Sequence, residues 1–333
     1  MIDHQAHSAA SLNDCSASDL PWQHSLWKSL KQRLQDDRLP HALLIHGAPG
    51  VGKRALAQRL VQTLLCLEPK DGEACGVCRA CRLSHSGGAH PDWVQVAPEP
   101  EKTVILVDQI RDLCAHLSLS AAFGGRRVGV IESADGMNVN AANALLKTLE
   151  EPGADVHIVL IADRPGRLPA TIRSRCQPQF CPVPGHAEAI LWLQQQHGGE
   201  AKLLSQAVNL AGGGPLLALE WLQQEVVAEA RQVAKDLVGL YREPQQDPMP
   251  IWTRWKEIPA PRLWRWVLLN LHHWCRALQA PGGGQLSPQQ LHRLLNLSQQ
   301  AQQSLRLAAS PVRDDLQIWQ WLLQWSQQGP QQD

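Results

Sequence analysis

The chain has 333 residues, 44% of them hydrophobic and 19% charged, and its 31 Lys and Arg residues balance its 31 Asp and Glu residues. This length exceeds what one compact core usually holds, so we expect two or three domains. The balanced charge excludes a whole-molecule field that would draw the protein onto nucleic acid. Residues 1–20 are polar and lack a signal-peptide layout, and no apolar run approaches the roughly 18 residues of a membrane span, so the sequence predicts a cytoplasmic protein.

Strand-like and helix-like patterns alternate along the first part of the chain. Helical patterns cover residues 22–35, the segment after Lys53, 107–119 and 140–149, and apolar or extended segments cover 42–46, 93–97, 128–131 and 156–161. Strands that alternate with helices predict a parallel sheet covered by helices on both faces.

The composition changes near residues 181–184, beyond which the sequence predicts amphipathic helices without strands. Gly- and Pro-rich segments interrupt these helices at 211–215, 243–250 and 280–284, and the last of them is predicted to be an exposed loop. Most of the 13 tryptophans lie in the C-terminal third. At helical spacing they are more typical of a core or an interface than of a base-stacking platform.

A glycine-rich segment, Gly47-Ala-Pro-Gly-Val-Gly-Lys53, follows a predicted strand and opens a predicted helix. Gly47, Gly50 and Gly52 would let backbone N–H groups converge on phosphate oxygens, and Lys53 would contact the β and γ phosphates of ATP. The alternative is a glycine-rich turn without a ligand. The pattern favours a phosphate-binding loop.

Two parts of the hydrolytic machinery are missing from this pattern. Arg54 stands where a phosphate loop has the Ser or Thr that binds Mg²⁺. The strand 128–131 leads into Glu132 and Ser133, so the carboxylate that would polarise the attacking water is replaced by a hydroxyl. Because phosphoryl transfer depends on positioning and charge neutralisation, the sequence argues against ATP hydrolysis and leaves nucleotide binding open.

Four of the nine cysteines are clustered: Cys66, Cys75, Cys78 and Cys81. In a reducing compartment such a cluster favours a metal site over disulfides, and two x2 spacings let successive sulfurs reach one ion. Four thiolates predict structural Zn²⁺ with no open coordination position. An iron–sulfur cluster and unligated thiols are the alternatives, and His85 and His90 are nearby alternative ligands.

Several motifs resemble bacterial clamp-loader subunits of the AAA+ class. They are residues 41–47, the cysteine cluster, His90-Pro-Asp92, Ala141-Ala-Asn-Ala-Leu-Leu-Lys-Thr-Leu-Glu-Glu-Pro152 and Leu168-Pro-Ala-Thr-Ile-Arg-Ser-Arg-Cys176. The resemblance covers about residues 22–225, and the rest is similar only as a helical tail.

Two branches of this family share these motifs, the ATP-hydrolysing tau/gamma subunit and the delta-prime subunit of DNA polymerase III. Arg54 and Ser133 depart from the hydrolysing branch, and Leu216 stands about where that branch has a sensor Arg. The departures favour the delta-prime branch. An active clamp-loader ATPase is the alternative, and a stand-alone zinc-binding nucleic-acid module is disfavoured by the zero net charge.

The resemblance implies a domain order and a set of partners. It implies a variable lead-in (1–21), a Rossmann-like AAA+ domain (22–182) with a zinc-binding insertion (66–81), a helical lid (183–224) and an all-α collar for oligomerisation (225–333). The implied role is a stator-like subunit of the polymerase holoenzyme that forms a ring with tau/gamma and delta and helps load the sliding clamp onto primed DNA.

The Ser-Arg-Cys motif implies that Arg175 enters a neighbouring subunit's ATP site as an arginine finger. The alternative is a surface arginine bonded to its own domain. Further basic side chains could contact DNA phosphates or form a solvated basic face: Arg126, Arg127, Arg164, Arg167 and Arg173.

Overall fold

The structure is a computed structural model that describes residues 20–85, 90–99, 102–279, 288–307 and 314–327. The chain divides into two compact units, residues 1–220 and 221–333. None of the described helices is long and apolar enough to cross a membrane. The predicted division into lid and collar domains stays a prediction, and the predicted loop at 280–284 lies outside the described residues.

The first unit is built on a parallel sheet. Its strands are β1 Ala42–His46, β2 Trp93–Val96, β3 Arg127–Ile131, β4 Val156–Ala162 and β5 Gln177–Phe180. They are arranged in the order β2-β3-β4-β1-β5, and all neighbouring pairs are parallel. The carboxyl ends of β1, β3 and β4 therefore meet at one edge of the sheet, where ligand sites of parallel sheets are found.

Helices cover both faces of this sheet, which confirms the predicted α/β fold. On one face α1 and α2 pack through residues such as Leu30 and Leu60, and on the other α4 and α5 pack through residues such as Leu113 and Leu145. The helices of this unit are α1 His24–Gln35, α2 Lys53–Leu65, α3 Arg79–His85, α4 Val107–Leu117, α5 Val139–Glu150, α6 Ala170–Arg173, α7 His186–Gln196, α8 Ala201–Leu210 and α9 Pro215–Gln223.

Strand β5, helix α3 and the short helix α6 were not predicted from the sequence. Strand β5 reads Gln-Pro-Gln-Phe, which has no apolar run, and it forms because β1 supplies a pairing edge. Helix α3 lies inside the cysteine-rich segment, where the sequence indicated only the spacing of the sulfurs. For β5 the pairing edge, and not the local pattern, determines the structure.

The second unit is helical, as the sequence predicted. Its core is rich in tryptophan: Trp255, Trp264, Trp266, Trp321 and Trp325 are buried, and the rings of the last two stack with centroids 5.5 Å apart. Because these side chains fill the core of their own unit, they do not by themselves argue for an oligomer interface. The helices are α10 Val226–Arg242, α11 Met249–Trp255, α12 Ala260–Gln279, α13 Pro288–Leu307 and α14 Asp314–Ser326.

Candidate functional site

The glycine loop (residues 47–53) lies at the carboxyl end of β1 and borders a cavity of about 360 Å³. Gly50 and Gly52 have φ angles of +73° and +90°, a backbone conformation that side chains with a Cβ rarely adopt. A Cβ on Gly50 would also come within 2.4 Å of Leu217 Cβ, because the start of α9 packs against the loop. The backbone conformation and the close packing of the loop therefore favour glycine at these positions.

Lys53 is turned into the loop and is 6% exposed. Its Nζ donates hydrogen bonds to the carbonyl oxygens of Gly47 (2.9 Å) and Ala48 (2.6 Å) and forms an ion pair with Asp163 at 2.7 Å. An ammonium group has three N–H donors, so these contacts use all of them. A phosphate could engage Lys53 only by displacing Asp163 or a loop carbonyl.

Arg54 neutralises the acidic residue at the end of β3. Its Nη2 lies 2.7 Å from Glu132 Oε2, and Gln95 Nε2 donates to Glu132 Oε1 at 2.8 Å. Burial raises the pKa of Glu132, and the charge of Arg54 partly offsets this effect. Ser133, which follows, has a positive φ of 50°. The Glu132 carboxylate is thus paired with the Arg54 guanidinium, and a metal ion could bind it only by displacing Arg54.

Leu216 lies at the cavity, on the side formed by the start of α9. Its backbone N–H donates to the carbonyl of Gly50 at 2.9 Å, which ties α9 directly to the glycine loop. An apolar side chain here brings no positive charge to a bound nucleotide. The cavity therefore receives its cations from Lys53 and Arg54, and both are already paired.

Arg175 is bonded to its own unit. Its Nη2 lies 2.5 Å from Glu150 Oε1, and its Nη1 donates to the carbonyl of Thr171 (2.9 Å) and to Ser174 Oγ (3.4 Å). The side chain is still 35% exposed. These contacts fit the alternative of a surface arginine, and they also leave part of the guanidinium open to a partner.

The other arginines differ in their exposure. Arg164, Arg167 and Arg173 are exposed, and Arg126 is partly exposed. Arg127 is buried, donates to the His116 carbonyl and pairs with Asp92, so the prediction that it could contact DNA phosphates is wrong. It stands within β3, and its side chain is directed into the protein.

The four clustered cysteines converge, with their sulfur atoms within 4.8 Å of one another. The Sγ atoms of Cys66 and Cys78 are 4.0 Å apart, as are those of Cys75 and Cys81. Four thiolates bound at about 2.3 Å in a tetrahedron would be about 3.8 Å apart. The cluster could therefore hold one metal ion with little movement.

The local backbone and the charges of this cluster also suit a cation. The N–H groups of Cys75, Cys78 and Cys81 each donate to the Sγ of the preceding cysteine of the cluster at 3.3–3.4 Å. Burial opposes ionisation of Cys78, but hydrogen bonds from the N–H groups of Cys81 and Leu67 lower its pKa to about 6. Burial and a hydrogen bond with Cys78 raise the pKa of Cys81. Complete ionisation thus requires a compensating positive charge.

Of the two histidines named as alternative ligands, His90 does not join the group of converging ligand atoms. His90 Nδ1 accepts the N–H of Asp92 at 3.1 Å, and the Asp92 carboxylate in turn accepts the N–H groups of Ala122 and Phe123. This motif stabilises the turn before β2. The side chain of His85 lies outside the described residues.

Glu73, which the sequence did not single out, ties the cysteine-rich segment to the core. Its carboxylate accepts hydrogen bonds from Trp27 Nε1 (2.6 Å) and from both Nε (3.1 Å) and Nη2 (2.8 Å) of Arg59, and it lies 3.7 Å from Lys31. Burial alone would raise the pKa of Glu73, but these bonds and charges lower it overall. Asp163 was also missed, although its position directly after β4 was a usable signal.

Comparison with known proteins shows similarity to bacterial replication proteins. A family model described as "DNA polymerase III, delta subunit" matches residues 22–182. The chain is 42% identical to DNA polymerase III subunit delta' of Pseudomonas aeruginosa over 74% of each chain. It is 37% identical to the protein of the same name in Escherichia coli K12, over 63% of this chain and 64% of that one.

Among solved structures, the chain is similar to a DNA polymerase III gamma subunit-related protein from Thermotoga maritima. The alignment covers 91% of this chain and 99% of that one, with 17% identity and a TM-score of 0.46.

Replacing the Glu73 carboxylate should weaken the attachment of the cysteine-rich segment (residues 66–81) to the core. At pH 7 we expect Glu73→Gln to lower the free energy of unfolding by about 1–2 kcal/mol, because charge-assisted hydrogen bonds to Arg59 are lost. The folded-state pKa of Glu73 is lowered, so its stabilisation is present above the ordinary pKa of about 4.3 and is lost as pH falls below it.

Urea denaturation between pH 7 and pH 3.5 measures this effect. Glu68→Gln is the matched control, since Glu68 is an exposed acid of the same segment and should lose little. An energy difference between wild type and Glu73→Gln that stays constant across this pH range would contradict the assignment.

Proposed function

Because the chain belongs to the DNA polymerase III delta-prime subunit family, we propose that it acts in a clamp loader as a subunit that does not hydrolyse ATP. Its partners are the tau/gamma and delta subunits, and through the ring it meets the sliding clamp and primed DNA in the cytoplasm. The helical segment 183–224 acts as a lid on the AAA+ domain, and residues from 225 onward form the collar that assembles the ring.

The proposal that ATP is not hydrolysed rests on the ion pairs formed by Lys53 and Arg54. Lys53 is saturated by Asp163 and two carbonyls, and Arg54 is paired with Glu132. Hydrolysis requires a metal that bridges the β and γ phosphates and a group that orients the attacking water. Ser133 is a poor substitute for a carboxylate in the second role. An active ATPase, the alternative function, would have to break both ion pairs.

Arg175 is proposed to complete the ATP site of a neighbouring subunit in trans. Its support is the partial exposure of the guanidinium, its place two residues after the end of the short helix α6, and membership of a family whose Ser-Arg-Cys motif it carries. A guanidinium delivered in trans stabilises the charge that spreads over a transferring phosphoryl group. Ser174 and the buried Cys176 hold the turn that carries it.

The metal of the cysteine cluster is proposed to be Zn²⁺ in a structural role. Four sulfur ligands suit a tetrahedral ion of intermediate softness. The sulfur atoms form two pairs that are each 4.0 Å apart, and no other ligand converges on them among the described residues. A complete Cys₄ shell leaves no position for a substrate. When bound, the ion holds α3 and the segment before it in one arrangement.

The ATPase proposal predicts that the isolated chain hydrolyses ATP no faster than a buffer blank, and that Lys53→Ala leaves this background unchanged. The test is a phosphate-release assay with Mg²⁺ and ATP in excess. Weak binding of ATP without turnover agrees with the proposal. Turnover that is well above the blank and disappears in Lys53→Ala would support the active-ATPase alternative.

The zinc proposal predicts about one zinc ion per chain in protein purified without added metal. Cys78→Ser should lose the ion and loosen the cysteine-rich segment while the sheet stays folded, because that segment lies outside both core faces. Cys114→Ser, which changes a cysteine outside the cluster, is the control and should retain the metal. Elemental analysis that finds iron, or no metal in normally folded protein, would refute the assignment.

The arginine-finger proposal predicts that Arg175→Ala lowers ATP turnover of the reconstituted ring stimulated by clamp and primed DNA. A finger is worth roughly a thousandfold or more at its own site, but the other sites continue to work, so the loss for the whole ring is partial. Arg175→Lys should rescue poorly, because an ammonium group cannot reproduce the planar fork.

Folding, metal content and co-purification with partners should be unchanged in Arg175→Ala. Arg111→Ala on α4 serves as the control, since Arg111 is an exposed arginine paired with Asp108, a neighbour on its own helix. Equal turnover for wild type and Arg175→Ala, with assembly verified, would show that Arg175 serves only its own unit.

A further inference from the structure

We propose that Glu150 is a positioning residue for Arg175, and that it holds the guanidinium in the orientation in which it meets a neighbour's phosphate. The inference rests on the trans role proposed for Arg175. It gives a role to the Glu150 carboxylate beyond the ion pair described above. The observation behind it is the contact of Glu150, at the end of α5, with Arg175, two residues after the end of α6.

The contacts of Arg175 define a single orientation of its guanidinium. Glu150 Oε1 lies 2.5 Å from Nη2, while the Thr171 carbonyl and Ser174 Oγ accept hydrogen bonds from Nη1. The latter two acceptors belong to α6 and the residue after it, so they are local to Arg175. Only Glu150 comes from a different part of the chain. It therefore fixes the guanidinium relative to the rest of the unit.

The geometry leaves donors for a ligand. A guanidinium has five N–H groups in a planar fork, and the three contacts above use three of them. Nε–H and one Nη2–H remain, and the side chains of Arg175 and Glu150 are 35% and 48% exposed. An anionic oxygen presented from outside can thus be bonded without breaking the pair with Glu150. In this arrangement the carboxylate orients the finger and does not compete for it.

Stability alone does not account for the placement of this carboxylate. Glu150 is the last residue of α5, where the helix dipole disfavours a negative charge. Exposed ion pairs contribute little to folding. The next residue, Glu151, is exposed and forms no ion pair with another residue in the described part of the chain. The two adjacent acids thus differ in their contact with Arg175, which makes Glu151 a matched control.

The test is steady-state ATPase of the reconstituted ring, stimulated by clamp and primed DNA. Glu150→Ala should remove most of the turnover that depends on Arg175, since a misplacement of about 1 Å can reduce a rate on the order of 100-fold. The loss should appear in kcat, with KM for ATP unchanged, because the finger acts on the transition state. Glu150→Gln keeps an acceptor oxygen and should be intermediate, and Glu151→Ala should match wild type.

Arg175→Ala is measured in parallel and separates the two proposals. If Arg175→Ala turns over like wild type, the trans role itself is wrong. If Arg175→Ala is impaired and Glu150→Ala equals wild type, only the positioning role is wrong.

In the Arg175→Ala background, Glu150→Ala should have no further effect. Additive losses would overturn the inference, since Glu150 would then act through something other than the finger. Glu150→Gln is nearly isosteric, so it tests the inference even if Glu150→Ala folds poorly: a wild-type rate for Glu150→Gln, with Arg175→Ala impaired, would overturn the inference.

Discussion

The parallel pairing of β1 with β4 and β5 is the constraint on which the site depends. In this register His46 pairs with Ala162 and with Phe180, so the residues that follow these strands meet at one edge of the sheet. Asp163 thereby reaches Lys53, and the N–H of Cys181 donates to the carbonyl of His46 at 2.7 Å. A shift of register would separate these groups, because each strand contributes its residues only at its own end.

The charges at this edge neutralise one another within the chain. Lys53 is paired with Asp163 and Arg54 with Glu132, at 2.7 Å in both cases. In a working ATPase the lysine faces phosphate and the acid faces the metal. Here the partners of both cations are residues of the chain itself, so both cations are neutralised without a ligand. This agrees with the proposed role as a subunit that does not hydrolyse ATP.

The cysteine-rich segment is organised by two separate interactions. The convergent sulfurs determine its internal arrangement, and Glu73 connects it to α1 and α2 through Trp27 and Arg59. A metal ion would join Cys75, Cys78 and Cys81 to Cys66, the residue that caps α2, and Glu73 adds a second attachment to the core. The Glu73–Arg59 pair resembles the Glu150–Arg175 pair, because in each a carboxylate bonds an arginine from a different part of the chain.

The sequence by itself determined the alternation of strands and helices, the phosphate-loop pattern with its missing hydroxyl, and the spacing of the cysteines, because periodicity and local motifs are properties of neighbouring residues. It also placed Arg127 on a candidate basic face, and this was wrong because the side of the sheet that a strand residue faces depends on packing. Strand β5, the pairing of Lys53 with Asp163, the anchor at Glu73 and the contact of Glu150 with Arg175 were decided only by the tertiary structure. Each of them joins residues from separate elements, and only the completed sheet and its helices set those distances.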